Sequence, residues 1–186
     1  GVEVLHRGEY VHLSGNEAGV LMVDYLTNTR NIQNGVICKS IVSTGLADKI
    51  AESKGVRCKN VLTGFKYIGE KIAELDDTGK REYIFGYEDS CGSLRGTHSR
   101  DKDAVVASML ICEMAAFYKN EGKTLIDVLN EIYDKYGYYY CAQKSFTCEG
   151  QSGMARIKGI MDDLRANPPK TFNGSKIIKI NDYKAS

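Results

Sequence analysis

The sequence has little of what marks several protein classes. It contains two prolines, three histidines and no tryptophan in 186 residues, and 25 Lys and Arg offset 24 Asp and Glu to a net charge of +1. Balanced charge with 42% hydrophobic residues excludes an intrinsically disordered chain. A near-neutral chain also lacks a broad field to attract nucleic acid, and no apolar run approaches the roughly 20 residues of a membrane helix. We therefore expect a globular protein that binds neither nucleic acid nor membrane.

Motifs of several enzyme classes are also missing. The chain has no Walker loop, no GxGxxG and no Asp-rich run that would hold Mg²⁺. His6, His12 and His98 are too scattered to form a metal set, so no metal site is predicted. None of the six cysteines forms a CxxC pair, and a chain this long can bury a core without disulfides. Free thiols in a reducing, cytoplasmic compartment are expected.

Strand and helix periodicity alternate along the first half of the chain. Short strands are predicted at residues 10–13, 36–43, 58–62 and 83–85. Helices are predicted after the capping residues Ser14 and Thr124 and, from apolar spacing, near residues 44, 65, 105 and 154. This alternation is typical of an α/β fold, so we predict a mainly parallel, four-stranded type of sheet with helices on both faces.

The later part of the chain adds two segments of strand composition. Residues 138–147 are predicted to form an edge strand that can run antiparallel, and residues 176–180 a short strand with no later partner in this chain. The first residue is Gly rather than Met, which suggests a processed product or part of a larger protein. We expect the end of a preceding domain at residues 1–13, an α/β domain at 14–166 and a linker to a further domain at 167–186.

One loop after a predicted strand combines acceptor groups with glycine. Residues 86–92, GYEDSCG, place two carboxylates and a hydroxyl between glycines, at the strand end where open α/β sheets bind ligands. Such acceptors suit the hydroxyls of a polyol, and an acidic surface turn is the equally simple alternative. The turn LTGFK at residues 62–66 precedes a helix in the same way, and its Thr and Gly are also explained by capping and a tight turn.

A cluster of charges precedes the clearest helix of the chain. In the run RDKD at residues 100–103, an Asp is expected at a helix N-terminus because it caps the first turn. Capping does not explain Arg100 and Lys102, since cations oppose the helix dipole there. Together with free N–H groups, the two cations would suit an anionic ligand such as phosphate.

These segments carry a family resemblance. LTGFK, GYEDSCG and RDKD, in this order and before a long helix, resemble the third domain of the α-D-phosphohexomutases, the phosphoglucomutases and phosphomannomutases. The flanks GEYVHLSGNEAGVLMVDYL and SGMARIKGIMDDLRANPP resemble the junctions with the second and fourth domains. The resemblance implies a sugar-binding domain of an enzyme that moves phosphoryl between O1 and O6 of a hexose, through a phosphoserine and a bisphosphorylated sugar.

Site residues also follow from the resemblance. Lys102 is the implied catalytic residue, which would stabilise phosphoryl charge or take part in proton transfer. Arg100 is the most weakly implied contact, because it would more simply hold its loop through Asp side chains. The implied substrate-binding residues are Thr63, Gly64, Glu88, Ser90 and Arg100.

The resemblance places the remaining chemistry outside this chain. Mg²⁺ and a hexose 1,6-bisphosphate activator would serve the intact enzyme, and the partners would be a hexose phosphate and the other mutase domains. Because the phosphoserine, metal and phosphate-binding loops are missing, we expect this chain alone to lack mutase activity and to bind sugar phosphate weakly. The alternative is a stand-alone, non-catalytic sugar-phosphate-binding or interaction module with the same fold.

Overall fold

A computed structural model describes residues 1–142 and 144–184. The chain divides into two compact units, Gly1–Cys141 and Ala142–Ser186. The strands of the first unit are β1 Val2–His6, β2 Glu9–Leu13, β3 Gly35–Ser40, β4 Arg57–Val61, β5 Glu82–Tyr87 and β6 Ser93–Arg95. Its helices are α1 Gly15–Thr29, α2 Leu46–Ser53, α3 Phe65–Thr78, α4 Ala104–Asn120 and α5 Leu125–Tyr136. No helix in the described part of the chain is long and apolar enough to cross a membrane.

The central sheet has four strands in the order β4-β3-β5-β6. The strands β4, β3 and β5 are parallel, and β6 pairs antiparallel with β5 at one edge. The predicted α/β class and mainly parallel sheet are therefore confirmed. A separate antiparallel hairpin, β1 with β2, precedes α1.

Helix boundaries follow the capping signals in the sequence. Ser14 and Glu17 form a capping box at the start of α1, and Thr124 and Asp127 form another at the start of α5. Each box satisfies two backbone N–H groups that the first helical turn leaves free. The helix α3 ends at Gly79, whose φ of 59° is left-handed and favours glycine.

Hydrophobic residues bury both faces of the sheet. One cluster joins the sheet to α1, α2, α4 and α5, and it includes Leu21, Ile37 and Leu129. A second, smaller cluster lies under α3 and includes Ile68 and Cys38. Helices thus cover both faces, as predicted. Burial raises the pKa of the Cys38 thiol to about 12, and all six cysteines are free.

Two strands of the first unit were not predicted. The antiparallel edge strand β6 was missed because Ser93 to Arg95 is only three residues long and shows no alternation. The strand β1 was missed although Val2, Glu3 and Val4 alternate with the period of a strand. It pairs fully with β2, from Val2 opposite Leu13 to His6 opposite Glu9.

The prediction of a strand at residues 138–147 is wrong for its described residues, 138–142 and 144–147, which form no strand; Gln143 lies outside the described residues. Gly137 adopts a φ of 94°, which turns the chain as α5 ends. Tyr138 then packs edge-on against Tyr133 of α5 at a ring-centroid distance of 4.9 Å. Aromatic packing on a helix thus replaces the strand pairing that four aromatic and β-prone residues suggested.

The second unit contains the predicted last helix, α6 Gly150–Ala166, and a minimal hairpin of β7 Thr171–Phe172 and β8 Ser175–Lys176. Asn173 and Gly174 form the hairpin turn, both with positive φ. The strand predicted at residues 176–180 is wrong, because pairing ends at Lys176. Beyond it Ile178 is 94% exposed, so the apolar run has no partner strand within the described residues of this unit.

Candidate functional site

The carboxyl edge of the sheet brings three loops together. Because β4, β3 and β5 are parallel, the turn after β4 and the loop after β5 leave the sheet at the same edge. The strand β6 turns back, so that Ser93 lies opposite Tyr87 at that edge. The N–H of Asp103 then donates to the Ser93 carbonyl at 2.9 Å, which returns the segment before α4 to the same place.

Glu88 is the central acceptor of this edge. It follows β5 directly and is 6% exposed. Its Oε1 accepts the N–H of Gly64, from the turn after β4, at 2.7 Å. Gly64 can aim its N–H there because its φ of 121° lies in a region that side chains rarely adopt. One carboxylate oxygen is thus fixed by the backbone, while Oε2 has no hydrogen bond within the described residues.

A tight turn holds the backbone of Glu88. The Cys91 N–H donates to the Glu88 carbonyl at 3.2 Å, and the Glu88 N–H donates to the Gly92 carbonyl at 2.8 Å. Cys91 has a φ of 71°, which is uncommon for a residue with a side chain. The short loop is therefore built around the position of Glu88, and it leaves Ser90 exposed at its tip.

Lys102 reaches this loop across Gly92. A Cβ built on Gly92 would lie 2.7 Å from Lys102 Cδ and 3.8 Å from Glu88 Oε2, so the lysine stem and the free carboxylate oxygen flank the same glycine. The Lys102 ammonium lies 5.7 Å from the centroid of the Phe65 ring and 3.3 Å from Asp101 Oδ1. The stem of the implied catalytic lysine and the central acceptor therefore lie against the same glycine, while the ammonium pairs with Asp101.

Arg100 lies elsewhere. Its guanidinium donates to Asp76 Oδ2 at 2.6 Å and to the Thr97 carbonyl at 2.6 Å. Asp76 is in the last turn of α3, about 18 Å along the helix from Gly64 at a rise of about 1.5 Å per residue. Arg100 therefore ties its own loop to α3, and the structure does not bring its guanidinium to Glu88. Thr63, by contrast, is exposed beside Gly64 at the site edge.

The acidic residues of the run at 100–103 have local roles. Asp103 caps α4 by accepting the N–H groups of Val105 and Val106 at 2.9 and 3.1 Å. Its hydrogen bond with His98, followed by these backbone bonds, lowers the pKa of its carboxyl. The Lys102 backbone N–H, and then its ammonium, likewise lower the pKa of Asp101. Helix capping, as the sequence predicted, thus accounts for Asp103. Capping does not account for Lys102, which is a candidate residue of the site.

Sequence reasoning missed two glycines that shape the site. Gly92 leaves room for the Lys102 stem, and Gly15, at the start of α1, packs directly on the Asp89 carbonyl and the Cys91 N–H. A side chain at Gly15 would collide with that backbone, so the first turn of α1 braces the loop. The only sequence signal for such close backbone contacts was the presence of glycine at these positions.

A buried lysine at the same sheet edge was also missed. Lys39 of β3 is 2% exposed, and its ammonium lies 3.0 Å from Asp48 Oδ2 and donates to the Ser43 carbonyl at 3.2 Å. Asp48 Oδ1 accepts from the Asn60 side chain at 3.0 Å, so the pair joins β3, α2 and β4. The available signal was a lysine inside an otherwise apolar strand, since buried charges are normally paired.

Comparisons with known proteins identify the fold. Residues 14–136 match the family model for Phosphoglucomutase/phosphomannomutase, alpha/beta/alpha domain III. The phosphoglucomutase of Staphylococcus haemolyticus strain JCSC1435 is 40% identical over 179 residues, covering 96% of this chain and 32% of that protein. The phosphoglucomutase of Staphylococcus aureus strain N315 is 38% identical over 181 residues, covering 97% and 32%. A crystal structure from Thermus thermophilus, of a protein assigned as a phosphomannomutase, superimposes with a TM-score of 0.56 at 25% identity, covering 79% and 32%.

The chain therefore belongs to the phosphoglucomutase/phosphomannomutase family and contains its alpha/beta/alpha domain III. It spans about a third of the length of the curated relatives that it matches, 32% in both staphylococcal proteins. The family resemblance of the three loop motifs is thereby confirmed. The carboxyl edge with Gly64, Glu88 and Lys102 is the candidate site of this domain.

Proposed function

We propose that this chain is the sugar-binding domain of a cytoplasmic phosphohexomutase, which moves phosphoryl between O1 and O6 of a hexose phosphate. The observation that carries the proposal is the buried Glu88 carboxylate. Its Oε1 is held by the Gly64 N–H at 2.7 Å, which leaves Oε2 to accept from a hydroxyl of the substrate. Charge-assisted hydrogen bonds of this kind are the strong ones, and an acceptor fixed in advance selects hydroxyl position.

Lys102 is proposed as the catalytic residue. Its ammonium lies near Phe65 and Asp101, and its stem lies beside Gly92 and the Glu88 carboxylate that would hold the sugar. A cation there can stabilise charge on the transferring phosphoryl group or exchange a proton with the reacting hydroxyl. Ser90 and Thr63, both exposed at the same edge, are proposed to contact other hydroxyls. Arg100 is proposed to act only through the loop it ties to Asp76.

The enclosed space beside Glu88 is small. Glu88 and Gly92 line a cavity of about 120 Å³ whose other walls come mainly from α1 and α4, and neither Gly64 nor Lys102 lines it, whereas ligand pockets usually measure about 300–1,000 Å³. We infer that a hexose phosphate needs further walls, which the remaining two thirds of the relatives' length would supply. The fourth-domain phosphate site, the phosphoserine and the other mutase domains are proposed to lie there.

The described residues of this chain do not fit Mg²⁺. Within residues 1–142 and 144–184 no group of three or more His, Cys, Asp or Glu side chains is placed to hold a metal ion. The Mg²⁺ and hexose 1,6-bisphosphate of the family are therefore proposed to bind outside this chain, and no step is assigned to them here. The step assigned to this chain is the orientation of the sugar and the supply of one cation.

The test is Glu88→Gln in the mutase that carries this chain. The variant keeps the shape of the side chain but loses its charge, so kcat/KM should fall about 10- to 100-fold, the effect of a hydrogen bond to a charged group worth about 1.5–3 kcal/mol. Glu82→Gln removes an exposed carboxylate from the opposite end of β5 and serves as the control. An unchanged kcat/KM in the Glu88 variant would remove this residue from the site.

A further inference from the structure

A cavity between helices of the first unit lies far from Glu88. It measures about 310 Å³ and lies between the C-terminal turns of α1 and α4 and the side of α5, and we name it the helix-end cavity. Its polar and charged lining comes from Asp24, Asn28, Thr29, Tyr118, Glu121, Glu131, Lys135 and Tyr136, and Phe117, Val128 and Ile132 complete it. The volume lies at the lower end of the range for small-molecule sites, about 300–1,000 Å³.

Asp24 is a buried carboxylate without a counter-ion in contact. It is 7% exposed, and its one side-chain hydrogen bond within the described residues comes from Asn28 to Oδ2 at 2.8 Å. No Lys or Arg in the described chain lies within 4.0 Å of it. Burial raises the pKa of this carboxyl in spite of Lys54 and Lys135 at longer range. Buried charges are normally paired, and Oδ1 accepts no hydrogen bond from the described residues, so it is available to a donor from a ligand.

Tyr118 offers a second polar group to a ligand. The residue is 7% exposed, it lines the cavity, and its hydroxyl has no hydrogen bond among the described residues. Burial, followed by the charges of Asp24 and Glu121, raises the pKa of that hydroxyl, so it stays protonated and can donate. Because the hydroxyl oxygen is not fully buried, a ligand in the cavity can reach it.

The surroundings favour a cation. The C-terminal turns of α1 and α4 line the cavity, and helix C-termini carry partial negative charge. The rings of Phe117 and Tyr118 are part of the same lining, and aromatic rings attract ammonium groups. Two cations near the rim are already engaged, because Lys123 bonds Glu131 at 2.8 Å and the Lys135 ammonium lies 4.8 Å from the Tyr136 ring centroid.

We propose that the helix-end cavity binds a small organic cation, a primary alkylammonium or diamine, with its ammonium between Asp24 Oδ1 and the Tyr118 hydroxyl. The carbon chain would lie against Phe117 and Ile132, and a second ammonium would reach Glu121 at the rim. This site is independent of the sugar-binding edge, so neither proposal depends on the other.

The experiment is a calorimetric titration of the 186-residue chain with putrescine, beside 1,4-butanediol, which has the same carbon chain without charge. Saturable binding of putrescine alone is expected. Asp24→Asn should weaken it about tenfold or more, and Tyr118→Phe by a smaller factor of about three, as charged and neutral hydrogen bonds differ. Glu52→Gln, which removes an exposed carboxylate outside the cavity, should stay within about twofold.

A gain of affinity guards against variants that merely misfold. Lys135→Gln removes the rim cation that competes with the ligand, so putrescine should bind more tightly. The proposal is overturned if putrescine does not saturate, if butanediol binds equally well, or if the Asp24 and Glu52 variants behave alike. Tighter binding of K⁺ than of putrescine would also overturn it, because a bare metal ion gains nothing from the carbon-chain contacts.

Discussion

At the scale of single residues, two tyrosines of one strand differ by a single hydrogen bond. Tyr83 and Tyr87 are both buried in β5, and the Tyr83 hydroxyl donates to the Leu94 carbonyl at 2.9 Å. The Tyr87 hydroxyl is fully buried and has no partner within the described residues. Both side chains are therefore buried in the same strand, but only the Tyr83 hydroxyl has a hydrogen-bond partner within the described residues.

Phenylalanine substitutions should separate them. Tyr83→Phe is expected to lower the free energy of unfolding by about 1–2 kcal/mol, because it removes the hydrogen bond to the buried Leu94 carbonyl. Tyr87→Phe should leave it near its original value or raise it, since it removes a buried hydroxyl that bonds nothing. Urea denaturation of the two variants measures both; equal losses would show that the Tyr87 hydroxyl has a partner in solution.

Asp24 predicts a pH dependence of stability. Its native carboxyl has a raised pKa, caused first by burial, while Lys54, Lys135 and Asn28 oppose the rise and Glu131 adds to it. The native state therefore keeps this proton to a higher pH than the unfolded state, and stability falls as pH rises through the native pKa. Asp24→Asn should be more stable than wild type at pH 7, with a difference that shrinks towards pH 4.

Thermal melts of both proteins across pH 4–8 check this. Glu52→Gln, on the exposed face of α2, is the control and should show no such convergence. A constant difference between wild type and Asp24→Asn at every pH would mean that the carboxyl does not titrate in this range, or that Lys54 or Lys135 closes on it in solution.

Residue contacts were the least predictable level. The sequence motifs, through the family resemblance, indicated Gly64, Glu88 and Lys102, and the parallel sheet explains why their loops meet. The hydrogen bond from Gly64 to Glu88 and the passage of Lys102 over Gly92 could not be predicted, because they depend on loop geometry between distant segments. Asp24 was hidden too, since it lies within an apolar helical pattern that gives no sign of a cavity.

At the scale of elements, Gly69 of α3 packs closely against the backbone of Arg100, in the segment that carries Lys102. A Cβ on Gly69 would lie 2.5 Å from the Arg100 carbonyl. At the end of the same helix, Gly79 has open space around it and is needed only for its left-handed φ. The two positions offer the same substitution with different consequences.

Gly69→Ala should move the residues 97–103 and lower kcat/KM of the mutase as well as stability, by about 1–3 kcal/mol for overpacking. Gly79→Ala should cost about 1–2 kcal/mol for a left-handed residue and leave kcat/KM unchanged. Denaturation together with coupled assays of both variants gives the answer. A normal kcat/KM in Gly69→Ala would mean that the segment adjusts without moving Lys102.

Elements were predicted best where period and caps agreed. The helices α1 and α5 carry a capping box and an apolar stripe, so their starts were located correctly. The strand β6 was missed because three residues are too few to show a period. A strand was wrongly predicted at residues 138–147 because tyrosines occur equally well in a strand and in a coil that packs on a helix. Local composition cannot decide whether a partner strand exists.

At the scale of the whole molecule, this chain spans about a third of the length of its curated relatives. We expect the purified 186-residue chain to show no turnover of glucose 1-phosphate in a coupled assay, because phosphoryl transfer needs a donor and a metal that its described residues do not provide. Robust turnover would contradict this and the proposed division of labour. The full-length mutase, assayed beside it, is the positive control.

The domain boundaries at residues 13/14 and 166/167 stay predictions at this scale. The family match covers residues 14–136, and the compact units meet at residues 141 and 142. The alternative, a stand-alone module, is distinguished from a mutase domain by the open reading frame that surrounds this chain. Sequences of a phosphoserine loop and a metal-binding loop upstream would favour the mutase.

The contact of Gly15 with the loop after β5 has a consequence for protein engineering. Because the first turn of α1 touches the backbone of Asp89 and Cys91, the conformation of the loop depends on α1. The loop therefore cannot be transferred to another protein by itself. A graft of residues 86–92 onto a related scaffold would need the matching helix start with it. In a randomised library of the mutase selected for turnover, we expect both Gly15 and Glu88 to tolerate little change, although the two are far apart in sequence.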